Sequence, residues 1–597
     1  MAQLVADFIL ERLREWGLTR IYGYPGDGIN GFLGALDRAE PETEFIQARH
    51  EEMAAFMACG HAKFTGGAGV CLATSGPGAI HLLNGLYDAK LDHAPVVAIV
   101  GQQKRISLGA EYQQEVDLQV LFKDVSEFVQ VCMEPAQARH LVDRAVRIAL
   151  DRRGVSTLIV PNDVQEEKAV PSPPREHGAV FSSVGYTRPR VLPPEAELED
   201  AARILNEGKK VAMLIGQGAA GAREEVIETA LLLGAGVAKA LLGKAVLPDD
   251  LPFVTGSIGL LGTTASYELM KGCDTLLMVG TSFPYSEFLP KEGQARAVEI
   301  DYDASRVGIR YPVEAGLVGD AKETLRALIP MLERKEDQSW REKIERQVEE
   351  WWRVVDDRAH QDGDPMNPQR VVWELSQRLP DDAIISADSG SSTNWYARDL
   401  RLKSGNLASL SGTLATMGPG VPYALAAKLA YPKRPVIALV GDGAFQMNGM
   451  NELITVKRYE DRFRDGGFVV CVFNNEDLNQ VTWEQRVLSG DPKYPGTQWI
   501  PSVPYAQYAE LLGFEGIYCE DGDEVGSAWE QALAAKGPCL LEVKTDPEIP
   551  PLPPHITRVQ AQKMAKAMVK GDPERVGVME KSLRGKLAEV RESLVRK

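Results

Sequence analysis

The stretch from 435 to 475 constrains the fold more than any other. Pro435-Val-Ile-Ala-Leu-Val440 has the length and branching of a buried strand and ends at Gly441-Asp442-Gly443, a sharp turn exposing one carboxylate. A second apolar run, Gly467-Phe-Val-Val-Cys-Val-Phe473, ends in Asn474-Asn475. Between them, Met447 to Arg458 reads as helix and Tyr459 to Gly467 as a polar surface insertion. Parallel strands joined in this way bring a carboxylate and amide oxygens to one sheet edge. Such hard oxygen ligands suit Mg²⁺ or Ca²⁺ bridging a diphosphate. Each half alone is an ordinary turn, and only the pairing is informative.

At 597 residues the chain is expected to form several domains. A net charge of −18 argues against a nucleic-acid partner, so anionic ligands must be met locally. Seven scattered cysteines without CxxC spacing point to a reducing compartment, with no disulfide framework and no zinc. No leader pattern opens the chain and no apolar run approaches about 18 residues, which predicts a cytoplasmic, non-spanning protein.

Helix and strand patterns alternate up to about residue 180, as in a doubly wound parallel sheet. Tyr24-Pro25-Gly26-Asp27-Gly28 is a tight turn, Glu51 and Glu52 open a helix, and Ser75-Gly76-Pro77-Gly78 lets a backbone approach a ligand. Pro161 to Pro194 reads as a linker. Gly216-Gln-Gly218-Ala-Ala-Gly221 matches GxGxxG, a weak signal by itself. Glu333 to Pro368 is a charged helical connector whose tryptophans pack inward. Asp388-Ser-Gly-Ser391-Ser392 offers N–H and hydroxyl groups to phosphate oxygens. In the net-basic tail, Leu583, Leu587, Val590 and Leu594 recur at helical spacing, fitting either a membrane surface or a helix docked on the protein's own acidic body.

The Gly441–Asn475 pair, Glu51 and the SGPG turn resemble the acetolactate synthase and pyruvate oxidase superfamily of thiamine diphosphate enzymes, and the resemblance covers nearly the whole chain. The run Gly280 to Pro290 looks closest to bacterial pyruvate oxidases and quinone-dependent pyruvate dehydrogenases. The resemblance implies an α/β protein of three doubly wound parallel-sheet domains and a C-terminal helical tail. These are a pyrimidine-binding domain at 1–180, a central Rossmann-like FAD-type domain at 190–335, a diphosphate and magnesium domain at 365–547, and the tail at 548–597.

By the same resemblance, Glu51 contacts the pyrimidine ring, and Gln114 and Glu484 lie on the substrate side, with Gln480 and Trp483 beside Glu484. Pro25, Gly26, Gly76, Gly78, Ser391, Ser392, Ala415, Met417, Gly443 and Ala444 are implied to hold thiamine diphosphate. Asp442, Asn475 and Asp477 would hold Mg²⁺, and Gly218, Lys244, Gly280, Thr281, Phe283, Asp301 and Asp320 would hold FAD. Gln113 stands where the family's substrate loop has an aromatic residue, and the Asp442-to-Asn475 spacer is longer than usual. The implied activity is decarboxylation of a 2-oxo acid, pyruvate first, with electrons passing through FAD to a quinone or O₂. A homodimer or homotetramer is implied, with the tail contacting the inner face of the membrane. Two competing expectations are an acetolactate synthase-like carboligase with a structural or absent flavin, which Trp483 suits, and a non-catalytic scaffold.

Overall fold

The structure, a computed structural model, describes residues 2–551 and 557–594, with side chains through Gly585. Three parallel sheets of six strands each follow one another along the chain. The first contains β1 (Arg20–Gly23), β2 (Glu44–Gln47), β3 (Gly69–Ala73), β4 (Val96–Gln102), β5 (Phe128–Val131) and β6 (Val155–Pro161), in the order β2-β1-β3-β4-β6-β5. The second contains β7 (Val211–Ile215), β8 (Gly236–Lys239), β9 (Val254–Ser257), β10 (Thr275–Val279), β11 (Arg296–Asp301) and β12 (Ala315–Val318), in the order β12-β11-β10-β7-β8-β9. The third contains β13 (Ile384–Ala387), β14 (Leu407–Ser409), β15 (Val436–Gly441), β16 (Phe468–Asn474), β17 (Glu515–Cys519) and β18 (Pro538–Lys544), in the order β14-β13-β15-β16-β18-β17.

Helices cover both faces of these sheets, so their central strands are apolar without alternation, and β3, β4, β7, β10 and β16 are buried at every residue. Each strand order reverses direction beside its first strand, and the crevice at such a reversal is where loops can meet a ligand. In the third sheet that crevice lies between β13 and β15, with Asp388 and Asp442 at its lip.

The first and third domains share one core. The helix Glu51–Thr65 packs on the helix Gly420–Ala430 so closely that a Cβ on Gly60 would stand 3.0 Å from Tyr423 Cα. Lys63 crosses this contact buried, bonding Asp92 at 2.7 Å, while Asp92 accepts the backbone N–H groups of Gly412 and Thr413 at 2.7 Å each. Burying these charges is tolerable only because they are paired and fully hydrogen-bonded.

One expectation changes, and the tail follows one of its two expected alternatives. The 459–467 segment is no free surface insertion: Phe463 is fully buried against Phe468, and the Tyr459 hydroxyl accepts Gln47 N–H at 2.8 Å. The tail forms helices Arg558–Val569 and Arg575–Leu594, and it docks on the third domain. Leu583 is 67% exposed, whereas Leu587, Val590 and Leu594 lie outside the described side chains. Among the described residues no helix is long and apolar enough to cross a membrane.

Candidate active site at the edges of the first and third sheets

Asp442 directly follows β15 and is 3% exposed. Its Oδ1 accepts Gly443 N–H at 2.8 Å, and its Oδ2 accepts those of Asn475 at 2.9 Å and Glu476 at 2.6 Å. Glu476 reaches this geometry at φ 57°, a strained value for a residue with a Cβ. Burial nonetheless dominates and pushes the Asp442 carboxyl up to about 7, because those N–H groups only partly offset the loss of water. A divalent cation at this edge would restore the charge. Asn475 Oδ1 accepts Asp477 N–H at 3.0 Å, and the Asp477 carboxylate is taken by Lys493 at 3.1 Å and Thr482 at 3.1 Å. The Asp477 backbone carbonyl accepts Asn479 N–H at 2.7 Å, so a metal would use the second lone pair of that oxygen.

A second carboxylate, Asp388, organises the neighbouring turn. It accepts Ser389, Gly418 and Gly420 N–H groups at 2.8 Å each, and burial holds it up at about 6 against those three donors. The 388–392 and 413–420 segments are thereby tied together. Ser392 spends its hydroxyl on Asp388 O at 2.9 Å, leaving its backbone N–H and that of Ser391 behind the φ 112° turn at Gly390. Ala415 is exposed and held at φ 53°. Met417 lies over the cation turn, its Cε 3.5 Å from where a Cβ on Gly443 would stand, and buried Ala444 follows in the same turn. Asn448 Nδ2, beside Gly418, is buried without a hydrogen-bond partner.

On the first sheet, Glu51 opens its helix and is 6% exposed. One oxygen, Oε2, takes Nδ1 of His81 at 2.9 Å. The other faces Gly78, where an added Cβ would stand 2.9 Å from Oε1, so glycine keeps that side of the carboxylate open. Gly26, following Pro25, leaves no room for a Cβ against Thr74, and Gly76 (φ 61°) abuts Gln114, itself at φ 62°. The loop carrying Glu51 is braced from the third domain, since buried Glu452 accepts Arg49 N–H at 3.0 Å. Nothing local in the sequence marks Glu452, Asp388 or His81 as partners.

The middle sheet treats its glycines differently. Gly218 and Gly280 touch each other across the reversal between β7 and β10, with Gly218 N–H bonded to Gly280 O at 3.0 Å, so backbone packing requires the first two glycines of GxGxxG, whereas a Cβ on Gly221 would meet open space. Lys244, expected at a flavin, is 1% exposed and committed to Leu400 O at 2.8 Å and Asp249 at 3.3 Å. Asp320 caps the helix Ala321–Leu328, and Asp301 accepts Asp303 N–H at 2.9 Å. Thr281 and Phe283 are each 6% exposed. Tyr285 is 41% exposed beside Phe283, and burial followed by the charges of Glu287 and Glu484 raises its pKa.

Glu484 is positioned in turn by Gln480 at 2.9 Å, and Gln480 by Asn394 at 2.7 Å. Trp483, expected beside them in the pocket, points the other way. It is 1% exposed, clustered with Ala567, Met568 and Val578 of the tail.

Three family models match the chain in order: the N-terminal thiamine pyrophosphate-binding domain over 4–121, the central domain over 198–328 and the C-terminal thiamine pyrophosphate-binding domain over 388–543. A Bacillus subtilis protein described as thiamine pyrophosphate-containing, YdaP, is 39% identical over 94% of each chain. The chain belongs to the thiamine pyrophosphate enzyme family. Two further relatives carry different activities in their names. The pyruvate oxidase of Lactiplantibacillus plantarum is 30% identical over 79% of this chain and 78% of its own. The acetolactate synthase isozyme 2 large subunit of Escherichia coli is 30% identical over 92% of this chain and 97% of its own.

The residues present fit the cofactor of a thiamine pyrophosphate enzyme. The buried Asp442 carboxylate has no ion-pair partner among the described residues, which suits a cation-bridged diphosphate. The unpartnered Asn448 amide adds a donor at the same edge, and the open face of Glu51 suits a ring nitrogen.

Proposed function

We propose that this thiamine pyrophosphate enzyme decarboxylates a 2-oxo acid, pyruvate first, and passes the electrons through FAD to a quinone or O₂. When bound, thiamine diphosphate supplies the electron sink into which the departing carboxylate leaves its electron pair. Asp442, Asn475 and the Asp477 carbonyl would hold Mg²⁺ for the diphosphate. Asn448 and the Ser391 and Ser392 N–H groups take phosphate oxygens, and Met417 orients the rings. Glu51 would offer Oε1 to a ring nitrogen, while His81 fixes its second oxygen. Glu484, steadied through Gln480, faces the substrate.

The observation that carries the oxidase reading is Tyr285, a partly exposed aromatic edge of the middle domain close enough to feel the Glu484 charge. It brings the middle domain within electrostatic range of Glu484 on the substrate helix, where an electron acceptor is useful. The carboligase reading drew on Trp483, and that side chain is spent on the tail.

The visible spectrum of the purified protein tests this. A yellow protein that bleaches when pyruvate is added without oxygen is expected. A yellow protein that does not bleach would leave the flavin structural and favour the carboligase, and a colourless one would remove the flavin from the account.

A further inference from the structure

His50, Glu51 and His81 form a cluster whose chemistry exceeds ring contact. One ligand atom from each lies within 4.8 Å of the others, and the two imidazoles sit 4.3 Å apart between centroids at 31°. The side chain of Glu51, 8% exposed, forms the floor, while His50 and His81, at 40% and 42%, form a rim open to solvent. We propose that this cluster binds one divalent transition-metal ion of the Zn²⁺ class, and that the ion excludes the thiamine ring by taking the Glu51 carboxylate.

Two imidazoles and one carboxylate with an open fourth position are the donor set that zinc uses in catalytic sites, at about 2.0–2.2 Å from each ligand atom. Ligand atoms in such a tetrahedron lie roughly 3.5 Å apart, so a contraction of about 1 Å, available from two half-exposed rings, completes the site. His50 and Glu51 are adjacent at the start of a helix whose body is buried, which fixes two of the three ligands on rigid backbone. His81 Nδ1 now bonds Glu51 and would lose its proton to solvent on binding the ion. His50 would give up a cap bond to Glu52 N–H that is already long, at 3.2 Å.

The two cation sites of the chain also sort their ions by chemistry. Imidazole favours Zn²⁺, Cu²⁺ and Ni²⁺, whereas Mg²⁺ takes oxygen ligands and stays at Asp442 and Asn475. All seven cysteines are buried, so no accessible thiolate competes for the ion.

The test uses the full-length protein stripped of cofactor and metals, titrated with Zn²⁺ against a chromophoric chelator in millimolar Mg²⁺. One Zn²⁺ per chain is expected, with His50→Ala and His81→Ala each weakening it at least tenfold at unchanged circular dichroism. Zn²⁺ should also raise the thiamine diphosphate concentration needed for half-saturation in wild type and leave it unmoved in His81→Ala. Absence of binding, or binding indifferent to both histidines, overturns the site. The competition rests on the proposed role of Glu51. Histidine-dependent Zn²⁺ binding without competition would therefore overturn that half and count against the ring assignment, while the ion site stood.

Discussion

Replacing Glu51 with glutamine lowers turnover by roughly 10²–10⁴-fold, the range expected when a positioned acid-base group is lost. The change is nearly isosteric, and the amide side chain would keep one oxygen for His81 and the space opposite Gly78, so the fold and thermal midpoint should stay near wild type. Steady-state rates together with circular dichroism check both halves. A variant with wild-type turnover would remove Glu51 from the chemistry.

Replacing Asp572 with alanine is expected to cost about 3–5 kcal/mol in the docking of the tail, the penalty for leaving half of a buried ion pair behind. Arg486 and Asp572 are both fully buried and meet through two bonds of 2.9 Å, one guanidinium to one carboxylate. Glu574 adds a contact to Arg486 at 2.8 Å and another to Lys493 at 2.6 Å, and Lys493 reaches the Asp477 carboxylate. Loss of Asp572 therefore loosens the loop that follows Asn475, and a higher Mg²⁺ requirement should accompany faster proteolysis of residues after 557.

Burial alone would raise the Asp572 pKa, but the Arg486 bonds outweigh it and hold the carboxyl below its ordinary range. A depressed carboxylate stabilises the folded state above its unfolded pKa of about 3.9 and loses that contribution as pH falls through the folded value. Tail docking should thus weaken only in strong acid. Limited proteolysis across pH, compared with an Arg486→Leu/Asp572→Leu pair, separates the uncompensated charge from the packing: the double variant should hold its tail better than the single one.

The fold was legible because buried parallel strands advertise themselves. Runs such as Val436–Val440 and Phe468–Phe473 carry no polar alternation, and they pair in parallel register with Gly441 opposite Phe473. The turn at Asp442 was legible for the same local reason, a carboxylate stranded between glycines at a strand end. What escaped was long-range. Asp388 meets Gly418 and Gly420, Glu452 meets Arg49, and Arg486 meets Asp572 across 86 residues, and none of these pairings leaves a periodicity to read. Trp483 and Lys244 illustrate a further limit. Their positions along the chain suggested ligand contact, but side-chain direction depends on what packs nearby, here the tail for one and Leu400 with Asp249 for the other. The first two glycines of GxGxxG teach a related lesson, since a motif selected for close backbone approach serves protein packing as readily as a phosphate.

The central claim is that one thiamine diphosphate is pinned through a cation at Asp442 and Asn475. Its most direct test is calorimetric titration of stripped protein with the cofactor, with Mg²⁺ and with chelator, for wild type and Asp442→Ala. One cofactor per chain, bound only with Mg²⁺ and weakened about 100-fold or more in the variant, is the predicted result. Equal affinity in chelator, or an Asp442→Ala protein that binds as wild type does, would contradict it.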